Sequence, residues 1–417
     1  MTDEEPRGAL PLFSLPSGKS NSAGDFLEGI RILDLTTSLA GPYATMLLGD
    51  LGADVIKIER PGLGDDSRGW GPPFIDDLAL WFIACNRNKR SVTLDYSRPR
   101  GYEVLLDLVR SSDAVVVNQR PSLQQRLGTD AASLREVRPD LIHVSLTGFG
   151  LSGPHAERAS YDLIAEGFGG VMDMTGEIDG APQKVGTPAA DLLAGQDAAM
   201  AFLAALIRRR RTGSGCAIDV SMYESMARFM TPNLSTYLGS GHCPRRSGGK
   251  ASVIAIYQVF ETLDEPMTLA LPNDRIWTRF CEATDLQRLL DDDTLQDNRS
   301  RQDNRQKLVE TIQDLLREKP RSYWLDLFNK NDVPAGPIQK IDDVANDESL
   351  HDKGFLYTIA GEGTPQPQVG LGIRFDDRAL GYTRAAPRLG EHNGEVLRDL
   401  LNFTHGEIDA LVGHRVI

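Results

Sequence analysis

Along the first half of the chain, short aliphatic runs alternate with stretches whose apolar residues recur at helical spacing. Ile30–Leu35 is one such run, closed by Thr36, Thr37 and Ser38, the pattern of a buried strand followed by a turn. Pro42 stands where a first helical residue belongs, because its missing N–H has no partner there in any case. The predicted helix covers Pro42–Leu51 and stops at Gly52, and Ala53–Ile58 is the next strand. Strand, helix and strand together make a βαβ unit. The alternation continues with strands at Ser91–Leu94, Ala114–Val117, Leu141–Leu146 and Ala217–Val220. Helices are expected over Arg100–Ser111, from Ala189 to about Arg210, and onward from Met222. Aliphatic strands separated by helices predict an α/β fold, a doubly wound parallel sheet.

The texture changes on either side of this region. Residues 1–28 are rich in Pro, Gly, Ser and Asn without sustained periodicity and read as a flexible tail. The α/β pattern occupies 29–238 as a large domain. Gly, Ser, Arg and Pro then crowd Gly239–Lys250, a crossover into a smaller α+β domain that, with this linker, spans 239–345. Its landmarks are a strand pair around Thr268–Leu271 and several charged amphipathic helices. The final segment, 346–417, holds further strands and two helical pieces. No repeat of 20–50 residues is visible.

Lys and Arg number 45 against 59 Asp and Glu in 417 residues, a net charge of −14. That excess repels a phosphate backbone at long range and argues against a nucleic-acid partner, while leaving room for a local basic pocket. The longest clean apolar stretch, Ala198–Ile207, is about half of the ~20 residues a membrane span needs, so no membrane partner is expected. The opening residues lack the basic and apolar regions of a secretory signal. Cys85, Cys216, Cys243 and Cys281 lie far apart with no C-x-x-C spacing, which suits a reducing, cytoplasmic setting. The seven histidines show no metal-binding spacing, so no metal is expected.

Candidate chemistry collects at strand ends. The turn Thr37–Pro42 lacks G-x-G-x-x-G, which lowers the chance of a nicotinamide or flavin enzyme. It is either an ordinary βα turn or a helix start that takes a pyrophosphate on its backbone N–H groups. Arg60 follows the second strand at the sheet edge where ligands of open α/β sheets bind, and Arg98 and Arg126 also follow strand-end segments. Each is either a phosphate ligand or a solvated rim cation. Arg208–Arg211 closes a long helix, where the dipole accounts for the cations. Three aspartates compete as reactive carboxylates. Asp179 lies in an Asp-Gly turn, Asp162 follows Ser160 and Tyr161, and Asp191 opens a helix, where the dipole alone explains it.

Taken together, these segments resemble the class III CoA-transferases, the family of formyl-CoA, carnitine and bile-acid CoA-transferases, with the α-methylacyl-CoA racemases as relatives. The resemblance rests on Gly29–Leu35 with Ala40–Pro42, on Leu51–Asp65 and on Asn88–Ser91. Leu146–Gly150, Arg210–Gly215, Val333–Pro337 and Leu389–His392 extend it toward the end of the chain. It implies a Rossmann-like large domain, a small domain, a C-terminal segment that returns to the large domain, and an interlocked homodimer. It implies coenzyme A or acyl-CoA as substrate, with Leu39, Ala40, Arg60, Leu94, Arg98, Asn118 and Arg126 in the binding positions.

The partners implied are a small-molecule acyl-CoA and a carboxylic acid. The family's catalytic carboxylate is matched to Asp179 through Thr175-Gly176-Glu177-Ile178-Asp179, and Gly248 and Gly249 loosely resemble a glycine loop over it. That loop reads equally as an interdomain link. An ionised aspartate attacks a thioester without a general base, passing through an acyl-aspartyl anhydride and an aspartyl-CoA thioester. Leu39 replaces the Gln of oxalate/formate members, the four-glycine loop is shortened to Gly248-Gly249 before Lys250, and Thr147 stands where some members carry Lys. The first two departures argue against a formyl-CoA/oxalate role. The alternative activity, α-methylacyl-CoA racemisation by α-proton exchange, needs a His where Tyr161 stands and a second acid aligned with Asp191.

Overall fold

The computed structural model describes residues 11–18, 24–360, 363–381 and 384–417. The chain divides into two compact units, one of Met1–Gly170, Val185–Thr231 and Ala345–Ile417, the other of Val171–Lys184 and Pro232–Val344. The segment Val171–Lys184, counted with the large domain in the sequence reading, therefore groups with the second unit.

The first unit is built on six parallel strands: β1 (Arg31–Asp34), β2 (Asp54–Glu59), β3 (Lys89–Thr93), β4 (Ala114–Val117), β5 (Ile142–Thr147) and β6 (Ala217–Ser221). Their spatial order is β3-β2-β1-β4-β5-β6, with Leu33 of β1 in register with Ile56 on one side and Val115 on the other. This is the doubly wound order, in which the chain reverses direction across the sheet beside β1 and ligands bind outside the carboxyl ends of the strands. Helices α1 (Ala40–Asp50), α2 (Pro99–Arg110) and α3 (Pro121–Leu127) follow β1, β3 and β4. Helix α1 begins two residues before Pro42. The first four helical N–H groups have no intrahelical acceptor, so proline is accommodated throughout the first turn.

One core joins distant parts of this unit. Leu33, Ile56, Val92 and Val115 of the strands and Leu105 and Leu108 of α2 are buried with Val396, Leu397, Leu411 and Val416. The last four come from the C-terminal segment, including the helix His405–Gly413. Helix α4 (Asp162–Gly169), the 24-residue α5 (Ala189–Thr212) and α6 (Met222–Phe229) complete the elements used below.

Helix α5 is long and apolar enough, by length and composition, to cross a membrane, which the ten-residue stretch noted in the sequence did not reveal. In this fold it is a core helix. Ala190, Ala194, Ala198 and Phe202 form a buried stripe, and Gly195 lets it meet α1 so closely that a Cβ there would fall 2.7 Å from the Ala40 carbonyl.

The second unit contains a three-stranded antiparallel sheet, Tyr257–Phe260, Met267–Ala270 and Ala335–Pro337, with Met267–Ala270 in the centre. Trp277, Phe280, Trp324 and Phe328 fill its core.

Candidate active site

The turn between β1 and α1 is fixed from below by charges that never reach solvent. The Lys89 ammonium donates to Asp34 Oδ2 (2.9 Å), to the Pro42 carbonyl (2.8 Å) and to Asn86 Oδ1 (2.9 Å). Thr45 Oγ1 donates to the same Asp34 oxygen (2.7 Å), and the Thr36 N–H and hydroxyl take the other. Lys57 donates to the Thr36 carbonyl (2.9 Å) and pairs with Asp65 at 2.8 Å. Both lysines and their carboxylate partners have fully buried side chains.

Burial pushes the Asp34 carboxyl upward, but Lys89, Lys57 and the two threonine hydroxyls outweigh it and hold the group below the usual carboxylate range. Burial likewise works against the Lys57 ammonium, yet Asp65, Asp34 and Glu59 raise it above the usual lysine range. Lys89 is pushed down to about 8 by burial, against the pull of Asp34 and with the help of Lys57.

This network places the predicted residues at the mouth of the sheet. Asp65 Oδ1 accepts from the Ser38 N–H (3.0 Å) and holds Ser38 in the left-handed region at φ +72°. Asn118 clasps Thr37 from both sides, accepting from its N–H (3.2 Å) and donating to its carbonyl (2.8 Å). Leu39 and Ala40 are buried at the start of α1. Gly41 is required there, since a Cβ would fall 2.4 Å from the Thr36 side chain. The helix start therefore lies hard against the strand end, with its unpaired N–H groups at the sheet's carboxyl edge.

Arg60, Leu94 and Arg98 line one cavity of about 610 Å³, together with Tyr96, Leu127 and Arg415. Arg60 pairs with Asp66 and Arg98 with Asp95 (2.8 Å). Arg126 is an exposed residue in the last turn of α3, next to Leu127 of that cavity, and has no ion pair among the described residues. Asn118 anchors the neighbouring turn and is not among the residues that line the cavity. Arg415 was not singled out in the sequence because nothing local marks it. The docking of the C-terminal segment brings it here.

The competing aspartates differ sharply. Asp179 is exposed on its turn in the second unit. The glycine loop packs on that turn, where the Gly248 N–H donates to the Gly176 carbonyl (3.1 Å) and is therefore engaged. The side chain nearest to Gly248 is Glu177, whose Oε2 would lie 2.9 Å from a Cβ at that position.

Asp191, in the first turn of α5, is only 8% exposed. Asp162 accepts from the N–H groups of Ala190 (2.9 Å) and Asp191 (3.3 Å), which caps the helix and sets two carboxylates side by side. Burial and the charge of Asp162 push the Asp191 carboxyl up to about 7. Its oxygens have no hydrogen-bond or ion-pair partner among the described residues. A sequence signal for this existed, because Asp191, Ala194, Gly195, Ala198 and Phe202 lie on one helical face that is otherwise apolar. No group of three or more His, Cys, Asp or Glu side chains fit to hold a metal occurs among the described residues.

Residues 27–393 match CoA-transferase family III. The chain is 36% identical over 396 residues to the succinyl-CoA:glutarate CoA-transferase of Mus musculus, covering 94% of this chain and 90% of the relative. It is 37% identical over 381 residues to the succinate–glutarate CoA-transferase of Agrobacterium fabrum, covering 90% and 95%. A crystal structure of a CaiB/BaiF family protein from Brucella suis superposes with a TM-score of 0.79 at 38% identity, covering 90% of this chain and 99% of that one. The chain belongs to the class III CoA-transferases, enzymes that pass coenzyme A between acyl groups.

Proposed function

We propose that this enzyme moves CoA from a dicarboxylic acyl-CoA, succinyl-CoA first among them, to a second dicarboxylic acid such as glutarate, with Asp191 as the nucleophile. The similarity to two enzymes named for succinate and glutarate supports the substrate class. The observation that carries the nucleophile is the environment of Asp191, a buried carboxylate without a counter-cation in the first turn of α5, one turn before Gly195 meets the start of α1.

A carboxylate held near pKa 7 is more basic, and so more nucleophilic, than a solvated one, yet about half ionised at neutral pH. Its oxygen attacks the thioester carbonyl and expels the CoA thiolate, leaving an acyl-aspartyl anhydride. The thiolate then attacks the aspartyl carbonyl, releasing the donor acid and forming aspartyl-CoA. The acceptor carboxylate attacks this thioester to give a second anhydride. Attack of the thiolate on the acceptor's acyl carbon releases the new acyl-CoA and restores the carboxylate. Both intermediates hydrolyse readily in water, and burial protects them.

Asp179 is the second reading, favoured by the Thr-Gly-x-x-Asp pattern. Its exposed turn offers no shelter for an anhydride. Relatives named as CoA-transferases favour transfer over racemisation, and Tyr161 in place of a histidine agrees with that. A homodimer is part of the proposal, supported by exposed apolar residues Tyr161, Leu163, Met200, Ile207 and Phe229 on the first unit. The test is a CoA-transfer assay with succinyl-CoA and acetyl-CoA against dicarboxylic, hydroxy and aromatic acids. Product with succinyl-CoA and glutarate is expected. Product only with acceptors other than dicarboxylic acids would overturn the substrate class.

A further inference from the structure

We infer that Arg415 is a specificity-determining residue that recognises the 3′-phosphate of coenzyme A and separates CoA from its 3′-dephospho form. This rests on the proposed CoA-transfer reading. Three guanidinium groups from three separate segments line the 610 Å³ cavity: Arg60 beyond β2, Arg98 at the start of α2 and Arg415 beyond the helix His405–Gly413. Two of them are already engaged. Arg60 bonds Asp66 and the Gly64 carbonyl, and Arg98 bonds Asp95 and the His414 carbonyl, the latter at 2.8 Å. Arg415 has no carboxylate partner among the described residues, although the chain carries a net charge of −14. A cation left unpaired in an acidic protein, in a cavity with two more cations, is suited to an anion from outside.

The backbone holds Arg415 in place. Its φ is +54°, a left-handed conformation that residues other than glycine adopt seldom. The next residue locks that conformation. Val416 is buried in the core, its N–H donates to the Leu411 carbonyl (2.8 Å), and its carbonyl accepts from the Asp95 N–H (2.7 Å). Asp95 and Arg98 lie on the same wall of the cavity, so the C-terminal segment is clamped to it by two backbone carbonyls, those of His414 and Val416.

The ligand chemistry follows from charge and shape. Leu94, Tyr96 and Leu127 offer apolar and aromatic surface for a purine, and the guanidinium groups surround it. Of the phosphates in CoA, the 3′-monoester alone reaches a charge of about −1.5 to −2 near neutral pH, as phosphate monoesters do. It is the group that gains most from an unpaired, bidentate donor.

The experiment is calorimetric titration of the full chain with CoA and with 3′-dephospho-CoA, for the wild type, Arg415→Asn and Arg415→Lys. Asparagine tolerates positive φ, so this variant removes the charge without opposing the backbone. Unchanged melting temperatures check that both variants fold. The wild type is expected to bind CoA on the order of tenfold more tightly than dephospho-CoA, the size of one charge-assisted contact. Arg415→Asn is expected to lose that margin through weaker CoA binding while its affinity for dephospho-CoA stays unchanged, and Arg415→Lys to keep part of the margin. An Arg415→Asn variant that keeps the wild-type ratio, or that weakens both ligands equally, overturns this inference and leaves the CoA-transfer reading intact. A wild type that binds neither ligand overturns both.

Discussion

Two sets of buried charges in the first unit obey opposite rules. Under the β1–α1 turn, Asp34, Lys57, Asp65 and Lys89 are fully buried, and each faces an opposite charge within 2.9 Å. At the start of α5, Asp191 is nearly as buried, but its neighbour is another carboxylate. The first arrangement fixes a shape, because every charge is satisfied and removal of one partner strands the other. The second, on the proposed function, is poised for reaction, since an unsatisfied carboxylate is held at a cost to stability and discharges that cost by bonding to something. Burial alone does not tell a structural charge from a reactive one. Its partners do.

The contrast is tested most strongly by Asp191→Asn, which keeps shape and removes the proposed nucleophile. Transfer is expected to fall by about a thousandfold or more, whereas Asp179→Asn stays within a few-fold of wild type in the same steady-state assay. The next largest effect belongs to the structural set. Asp34→Asn leaves Lys89 without its buried counter-charge and is expected to cost about 3–5 kcal/mol of stability in urea unfolding.

The two sets also differ in how stability depends on pH. Between the ordinary carboxylate value and about 7 the folded state holds a proton on Asp191 that the unfolded chain releases. Stability from this group therefore declines as pH rises through that window and levels off above it. Asp191→Asn is accordingly expected to be more stable than wild type at pH 8, by about 1–4 kcal/mol, with the difference shrinking toward pH 4. A further expected effect is on the pH dependence of the rate. With saturating substrates, kcat should rise about tenfold per pH unit below the value near 7 set by Asp191 and then flatten, because only the ionised carboxylate attacks. A flat profile from pH 5 to 8 would remove Asp191 from the rate-limiting chemistry.

Much of the fold was legible in the chain. Aliphatic runs such as Ala114–Val117 and Leu141–Leu146 are too apolar for a one-sided sheet, and each of the six parallel strands of the first unit overlaps a strand read from the sequence. Arg60, Leu94 and Arg98 could be placed at strand ends because sheet edges follow from strand positions.

What stayed hidden was long-range. Arg415 reaches its cavity only because Val416 docks into a core more than 300 residues upstream in sequence, a contact that no local pattern encodes. Asp191 was masked by a sufficient local explanation, the helix dipole, although its place on the apolar stripe of α5 marked it as buried. Asp179 matches a short motif, and a motif carries no information about the solvent exposure the structure gives it.

Peptide mass spectrometry of wild-type enzyme mixed with succinyl-CoA in the absence of acceptor reads the covalent intermediate itself. A CoA adduct is expected on the peptide carrying Asp191, lost in Asp191→Asn and retained in Asp179→Asn. An adduct on Asp179, or turnover with no adduct on either residue, would contradict it.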